Sequence, residues 1–270
     1  MSDTAPKLTE EREPADALLL DALEPIPGLK DRLEAVDLRT PLVGSHYSVD
    51  RCLSYGGDRP GLTTLNRLSI AMDHLLTWYR IIFEAQFIPV HAHVTLLRPA
   101  IEASVQARWL LDATVSPCDR VGRALGLALD DLNERRKIED DWSKDPGYHQ
   151  VGQTALQRAD QLRDQAKAAD IEPQYRDTIA LLRLYPLHEY ATDLAVFRFI
   201  CGVVHGTIWA SIHGQIETVE AGATVSTYKQ TSDQAEAGML TQAAVAQFAA
   251  ALTVLEAYVE PSPRHQDGQI

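Results

Sequence analysis

A chain of 270 residues with 45% hydrophobic and 23% charged side chains can bury one large core or two small ones. With 15 glycines, 14 prolines and three cysteines it is neither collagen-like, nor disordered by composition, nor a disulfide scaffold. Lys and Arg number 25 against 38 Asp and Glu, and the net charge of −13 opposes nonspecific binding to nucleic acid or to an anionic membrane, so any basic surface must be local.

Residues 1–60 carry seven basic and twelve acidic side chains and six of the prolines (Pro6, Pro14, Pro25, Pro27, Pro41, Pro60), which predicts an irregular acidic arm with short helical pieces such as Asp16 to Leu23. Met1 to Glu13 is polar and acidic with no apolar stretch, unlike a signal or transit peptide. Residues 61–262 are predicted to form one helical domain and 263–270 a polar tail. Leu65, Leu68, Met72, Leu75, Leu76, Tyr79, Ile82 and Phe83 recur at threes and fours, the stripe of an amphipathic helix ending near Gln86.

A second helix is expected from about Val90 to Asp112 with Pro99 inside it, burying Leu97, Ile101, Val105, Trp109 and Leu110. A third, about Cys118 to Trp142, buries Val121, Leu125, Leu129 and Leu132 and ends in a charged, solvated run. Pro146-Gly147 breaks it; a polar helix follows from about Gln153 to Ala169, then a shorter one from Tyr175 to Leu184 between Pro173 and Pro186. The most apolar helix is predicted from about His188 to His213. Ile216 to Val219 and Ala223 to Tyr228 flank Ala221-Gly222 as a small β-hairpin, and Leu240, Ala244, Phe248, Leu252, Leu255 and Val259 mark a last helix. The fold class expected is all-α with that hairpin before the last helix.

Two uncharged runs, Phe199 to Ile216 and Ala237 to Leu255, approach the length of a membrane span. His205, His213, Gln215 and three glycines interrupt the first, and Gln242 and Gln247 the second; both read as buried bundle helices, with no membrane partner expected. Cys52, Cys118 and Cys201 are odd in number and far apart, which suits a reducing cytoplasm and no redox or zinc pair. His91-Ala-His93 with His188 or His213 lacks the second matched pair or the Glu-containing helix of a zinc site, so neither metal nor cofactor is expected.

The chemistry concentrates in Arg198-Phe-Ile-Cys-Gly-Val-Val-His205. Seven helical steps of about 100° bring both side chains to one face, roughly 10.5 Å apart along the axis, with the small Cys201 and Gly202 between them. A guanidinium holds a phosphate by paired donors, and an imidazole exchanges a proton near neutral pH. Metal-free RNA cleavage needs both: a base for the attacking 2′-hydroxyl and a cation for the charge that grows on phosphorus. From spacing alone the alternative stays open, that Arg198 pairs with a carboxylate and His205 is satisfied in the core. Arg98, Glu102 and Gln106 make a polar line on an apolar helix, where Glu102 either orients Arg198 or His205 or pairs with Arg98. Gly202, Gly206, Ala210 and Gly214 recur every four residues and mark a close approach, either of packing within the chain or of a dimer seam; with Trp209 they would line a groove near His205.

An Arg, four to six residues and a His on a late helix of a helical bundle resembles the signature of the HEPN superfamily (higher eukaryotes and prokaryotes nucleotide-binding), and Arg198 and His205 match it with six residues between. The segments from Leu97 to Asp112 and from Phe197 to Trp209 also resemble bacterial proteins with HEPN-like folds, and the likeness spans roughly residues 65 to 260. It implies a helical bundle and homodimers that join two Arg/His faces in a composite cleft. It further implies a metal-independent endoribonuclease of toxin or anti-phage type, with RNA or a nucleotide as ligand and an antitoxin or regulatory protein as partner. Arg198 would bind the scissile phosphate, His205 would act as acid and base, and Glu102 would support them. The most active members carry a polar residue directly after the Arg, where this chain has Phe199; other members are noncatalytic binding or regulatory modules.

Overall fold

Apolar stripes closed by caps and prolines divide the chain into helices, and a computed structural model describes residues 14–53, 59–89, 91–150, 152–187, 192–207, 215–221, 226–231 and 234–261. In chain order these hold α1 (Pro14–Leu23), α2 (Ile26–Ala35), α3 (His46–Leu53), α4 (Arg59–Phe83), α5 (Ala92–Leu110), α6 (Pro117–Trp142), α7 (Ala155–Ala168), α8 (Thr178–Leu184), α9 (Thr192–Val204), β1 (Gln215–Ala221), β2 (Ser226–Thr231) and α10 (Gln234–Val259). The architecture is mostly helical. The backbones of β1 and β2 pair antiparallel, Gln215 opposite Thr231 and Ala221 opposite Ser226.

Local chemistry sets the helix starts. The Ser116 hydroxyl accepts from the Asp119 N–H at the head of α6, with Pro117 at the first position, where no donor is needed. Thr154 and Gln157 form a reciprocal capping box on α7, and the Asp177 carboxylate caps α8 through the Ala180 N–H.

α5 is the central element, packed on α4, α10, α9, α8 and α6. Leu97, Ala100, Ile101, Val105, Trp109 and Leu110 are buried along it. The Trp78 indole of α4 donates to Thr241 Oγ1 of α10 at 2.9 Å and stacks on the buried His93 ring, so one of the two core tryptophans also has its polar edge satisfied. A smaller cluster joins α6 to α7 through Val121, Leu125, Leu162, Ala166 and Ile171. There the chain after α7 crosses α6 closely: the Gln174 N–H donates to the Gly122 carbonyl at 2.9 Å, and a Cβ at Gly126 would stand 1.8 Å from the Gln174 carbonyl oxygen.

The expected irregular arm is corrected, although its helical piece at Asp16 to Leu23 is present as α1. Residues 14–53 carry three helices whose Leu19, Leu23, Ile26, Leu29, Leu33 and Tyr47 are part of the main core. Four of the six prolines that suggested breaks stand at helix starts: Pro14 opens α1, Pro25 is the N-cap of α2 with Pro27 in its first turn, and Pro60 is the second residue of α4. Gly238 lets α1 lie close on α10, since a Cβ there would meet Leu18 Cγ at 2.9 Å and Leu19 N at 3.0 Å. The expected boundary at residue 61 therefore falls inside α4 and divides nothing, and the expected tail at 263–270 lies outside the described residues. α10 is long and apolar enough to cross a membrane, yet 61% of its apolar window is buried inside the bundle, as for a core helix.

Candidate functional site

α9 buries Phe197 and Ile200 against the bundle and turns Arg198 to solvent. Its expected continuation to His213 is corrected: the helix stops at Val204. The Thr207 N–H donates to the Gly202 carbonyl at 2.9 Å and the Gly206 N–H to the Val203 carbonyl at 3.0 Å, with Gly206 at φ +64°. These are the paired bonds of a Schellman ending, which needs the left-handed conformation that glycine adopts without strain. Gly206 is thus the residue that ends the helix, and the four-residue glycine stripe does not run through it. Trp209, Ala210, His213 and Gly214 lie outside the described residues.

His205 still occupies a helical position, because its N–H donates to the Cys201 carbonyl at 3.0 Å. Arg198 and His205 therefore remain about two turns apart on one side of the helix, roughly 10.5 Å along its axis. Both side chains are exposed, and among the described residues neither makes a side-chain hydrogen bond or ion pair. Gly202 between them is buried and Cys201 half-buried. The alternative of an Arg198 held by a carboxylate and a His205 sunk in the core is not what the helix presents.

Glu102 takes the other of its two expected routes. Arg98 Nε donates to Glu102 Oε1 at 3.0 Å within α5, both side chains being about a third exposed at 29% and 31%. The carboxylate is engaged by Arg98 and not by Arg198 or His205. The pair nonetheless lies against α9, because the Cys201 thiol feels both charges: burial pushes its pKa up, Arg98 opposes the rise and Glu102 adds to it. Along α5 the polar line continues differently. Gln106 Oε1 accepts from Arg67 Nη1 of α4 at 2.6 Å, and Arg67 reaches Asp131 of α6 at 3.2 Å, so the line cross-links three helices.

A second polar centre, absent from the sequence-based expectation, lies where α3, α5, α6 and α10 meet. Arg120 and Asp50 are 1% and 0% exposed and paired twice, Nε to Oδ2 at 2.7 Å and Nη2 to Oδ1 at 2.8 Å. Arg120 Nη1 also donates to the Val115 carbonyl at 2.8 Å, and the Tyr258 hydroxyl donates to Asp50 Oδ2 at 3.0 Å. Burial, with Asp50 beside it, raises the Tyr258 pKa far above the ordinary value.

Next to this pair, the Tyr185 hydroxyl donates to Asp112 Oδ2 at 2.7 Å, and Arg123 stands 3.8 Å from the same carboxylate. Burial and then Asp112 push Tyr185 up to about 12. Burial would raise Asp112 as well, but bonds from Thr114 and Tyr185 together with Arg123 hold it below the ordinary range. A cavity of about 200 Å³ opens here, lined in part by His46, Arg108, Asp112, Tyr185, Val254 and Tyr258. The sequence signal for this centre was phase: Arg120 and Arg123 repeat with the buried Ala124 and Leu127 at helical spacing, so they had to point inward with partners.

His93 does not present itself as a metal ligand: its ring is buried against Trp78, Nδ1 lies 2.9 Å from the Pro89 carbonyl, and burial lowers its pKa. Among the described residues no three His, Cys, Asp or Glu side chains converge on a metal position. Trp78 and Trp109 are core residues, whereas Trp142 is 58% exposed beside Tyr148. Compared with protein-family models, with curated proteins and with solved structures, the chain finds no match.

Proposed function

We propose that the chain is a HEPN-like, metal-independent endoribonuclease of the toxin or anti-phage type, acting as a homodimer through the Arg198–His205 side of α9. The observation that carries this reading is that a cation and a proton-exchanging group stand two turns apart at the end of one helix, both exposed and neither engaged by a described side chain. Structural Arg and His side chains gain partners when a fold uses them; a pair held free on a buried small-residue floor is available to a ligand.

In the proposed reaction His205 takes the proton of a ribose 2′-hydroxyl as that oxygen attacks the adjacent phosphorus. Arg198 donates to the phosphoryl oxygens and stabilises the charge that develops on them. The P–O5′ bond breaks, the 5′-oxygen takes a proton from the partner copy's imidazole or from water, and the products are a 2′,3′-cyclic phosphate and a 5′-hydroxyl. Two copies are proposed because one exposed helix end offers no enclosing wall, and pairing two such faces makes a cleft. Glu102 with Arg98 acts one layer behind, as a positioning pair set against the Cys201 turn of α9.

The test is cleavage of total RNA by purified wild type, Arg198→Ala and His205→Ala proteins, in EDTA, with folding followed by circular dichroism. Cleavage by wild type alone, leaving cyclic phosphate ends, is the expected result. Equal behaviour of three folded proteins would overturn catalysis. A second reading, a noncatalytic nucleotide-binding or protein-interaction module of the same fold, is favoured by Phe199, which packs against the core where active relatives of the resemblance carry a polar group, and by the net charge of −13. It predicts nucleotide or partner binding that depends on Arg198 without any cleavage.

A further inference from the structure

Arg108 is a half-buried guanidinium that no carboxylate pairs among the described residues. Its Nη1 donates to two neutral acceptors, the Tyr185 carbonyl at 2.6 Å and Gln247 Oε1 at 3.0 Å, and its Cζ lies 5.6 Å from the Tyr185 ring centroid. Its Nε and Nη2 donors have no partner among the described residues, and no ion pair forms within 4 Å. Asp193 acts on it only through space, and burial holds its pKa below the ordinary value. Neither donor is among the sealed, partnerless polar atoms, so both reach solvent and stay available to a ligand.

What it faces is the cavity of about 200 Å³ between α3, α5 and α10, a volume that would hold roughly six or seven waters at about 30 Å³ each. Behind Arg108, Gln247 is 1% exposed, and its Nε2 donors have no partner among the described residues while its oxygen serves Arg108. Gln247 lies on the α10 face that carries Val254 and Tyr258 into the cavity wall, since offsets of seven and eleven residues fall within about 20° of whole turns. The rest of the lining is mixed: Leu111, Ala113 and Val254 are apolar, and the two tyrosines offer ring surface.

The neighbouring charges fix the class of ligand. Arg120 is neutralised by Asp50, and Arg123 shares Asp112, whose two oxygens already accept from Thr114 and Tyr185. Arg108 is left with no contacting carboxylate and only the distant charge of Asp193, which suits a monoanion and not a phosphate dianion. A carboxylate fits the planar fork of an arginine in two parallel bonds, and the apolar wall suits a small hydrocarbon body attached to it. We propose that this cavity binds a small organic carboxylate, its carboxyl group on Arg108 and its apolar body against Leu111, Val254 and the Tyr185 ring. The site is separate from the Arg198–His205 face, and its test stands whether or not the chain cleaves RNA.

Calorimetry on the full chain with benzoate, its neutral isostere benzamide and inorganic phosphate reads the proposal directly. The expected result is saturable benzoate binding, with benzamide and phosphate each weaker by roughly tenfold or more, the loss of one charge-assisted contact. Arg108→Gln should weaken benzoate by roughly ten- to hundredfold while keeping a group for the Tyr185 carbonyl. Ala113→Phe, at an exposed loop position on the cavity rim, should block benzoate without touching any charge, and it decides the matter if Arg108→Gln does not fold. Absence of benzoate binding at millimolar concentration, equal binding of benzamide, tighter binding of phosphate, or benzoate affinity unchanged in folded Ala113→Phe would each overturn it.

Discussion

Two arginines of this chain stand in opposite environments. Arg120 is sealed at the junction of α3, α6 and α10, with both oxygens of Asp50 and the Val115 carbonyl on its donors. Arg198, on the outer side of α9, is exposed and makes no side-chain bond among the described residues. A buried guanidinium must exchange its hydration for a full set of fixed acceptors, whereas an exposed one keeps water and can give it up to a ligand. The polar groups that hold the bundle and those it offers outward are therefore separate sets, and substitutions should separate them further.

The largest effect is expected at the sealed pair. Asp50→Ala leaves Arg120 buried without its counterion and should cost about 3–5 kcal/mol in urea denaturation, while replacing both partners with apolar residues should cost less than that single change. A loss below about 1 kcal/mol would show that the junction does not depend on the pair. Tyr258→Phe removes one donor from Asp50 and leaves Arg120 in place, for about 1.5–3 kcal/mol by the same measurement. Gly126→Ala tests the contact between α6 and residues 171–174: the new Cβ meets a backbone oxygen that no rotamer can move, and the expected loss is about 1–3 kcal/mol.

Smaller, and visible only at the ends of the pH scale, are the effects of Tyr185 and Asp112. Tyr185 titrates near 12 in the fold against 10.0 ordinarily, so its contribution is fully present below pH 10 and falls as the pH rises toward 12, because the unfolded chain ionises first. Asp112 is shifted down, so its contribution is present above the ordinary carboxylate range and is lost as the pH falls through its lower folded value. Unfolding followed against pH should show a shallower alkaline limb for Tyr185→Phe and a shallower acid limb for Asp112→Asn.

The long helices were legible because their apolar residues repeat over many turns: α4, α5, α6 and α10 cover the predicted stretches with ends shifted by a few residues. Of the N-terminal helices only α1 was legible, as the piece from Asp16 to Leu23; α2 and α3, of 10 and 8 residues, are too short for a stripe to outweigh the prolines and acidic charge around them. Arg198 and His205 could be singled out since their spacing is local to one helix. The Arg120–Asp50 pair joins residues 70 apart and Tyr258–Asp50 residues 208 apart, separations that no periodicity reports. Gly206 fits a four-residue packing stripe by sequence; only the bonds to Gly202 and Val203 show it as a stop.

The smallest stability effect belongs to the residues with the largest proposed role. Arg198→Ala and His205→Ala remove exposed side chains that hold no described partner, so each should shift unfolding by no more than about 0.5 kcal/mol. Arg98→Ala gives the internal contrast: it strips Glu102 of its partner beside Cys201 and should cost more than either, by up to about 1 kcal/mol for a partly exposed pair. If all three variants unfold alike with wild type and only Arg198→Ala and His205→Ala change RNA, the α9 face acts directly and Glu102 serves no positioning role. If Arg198→Ala itself destabilises the bundle by more than about 1 kcal/mol, the side chain has a structural partner and the exposed-pair argument for cleavage fails with it.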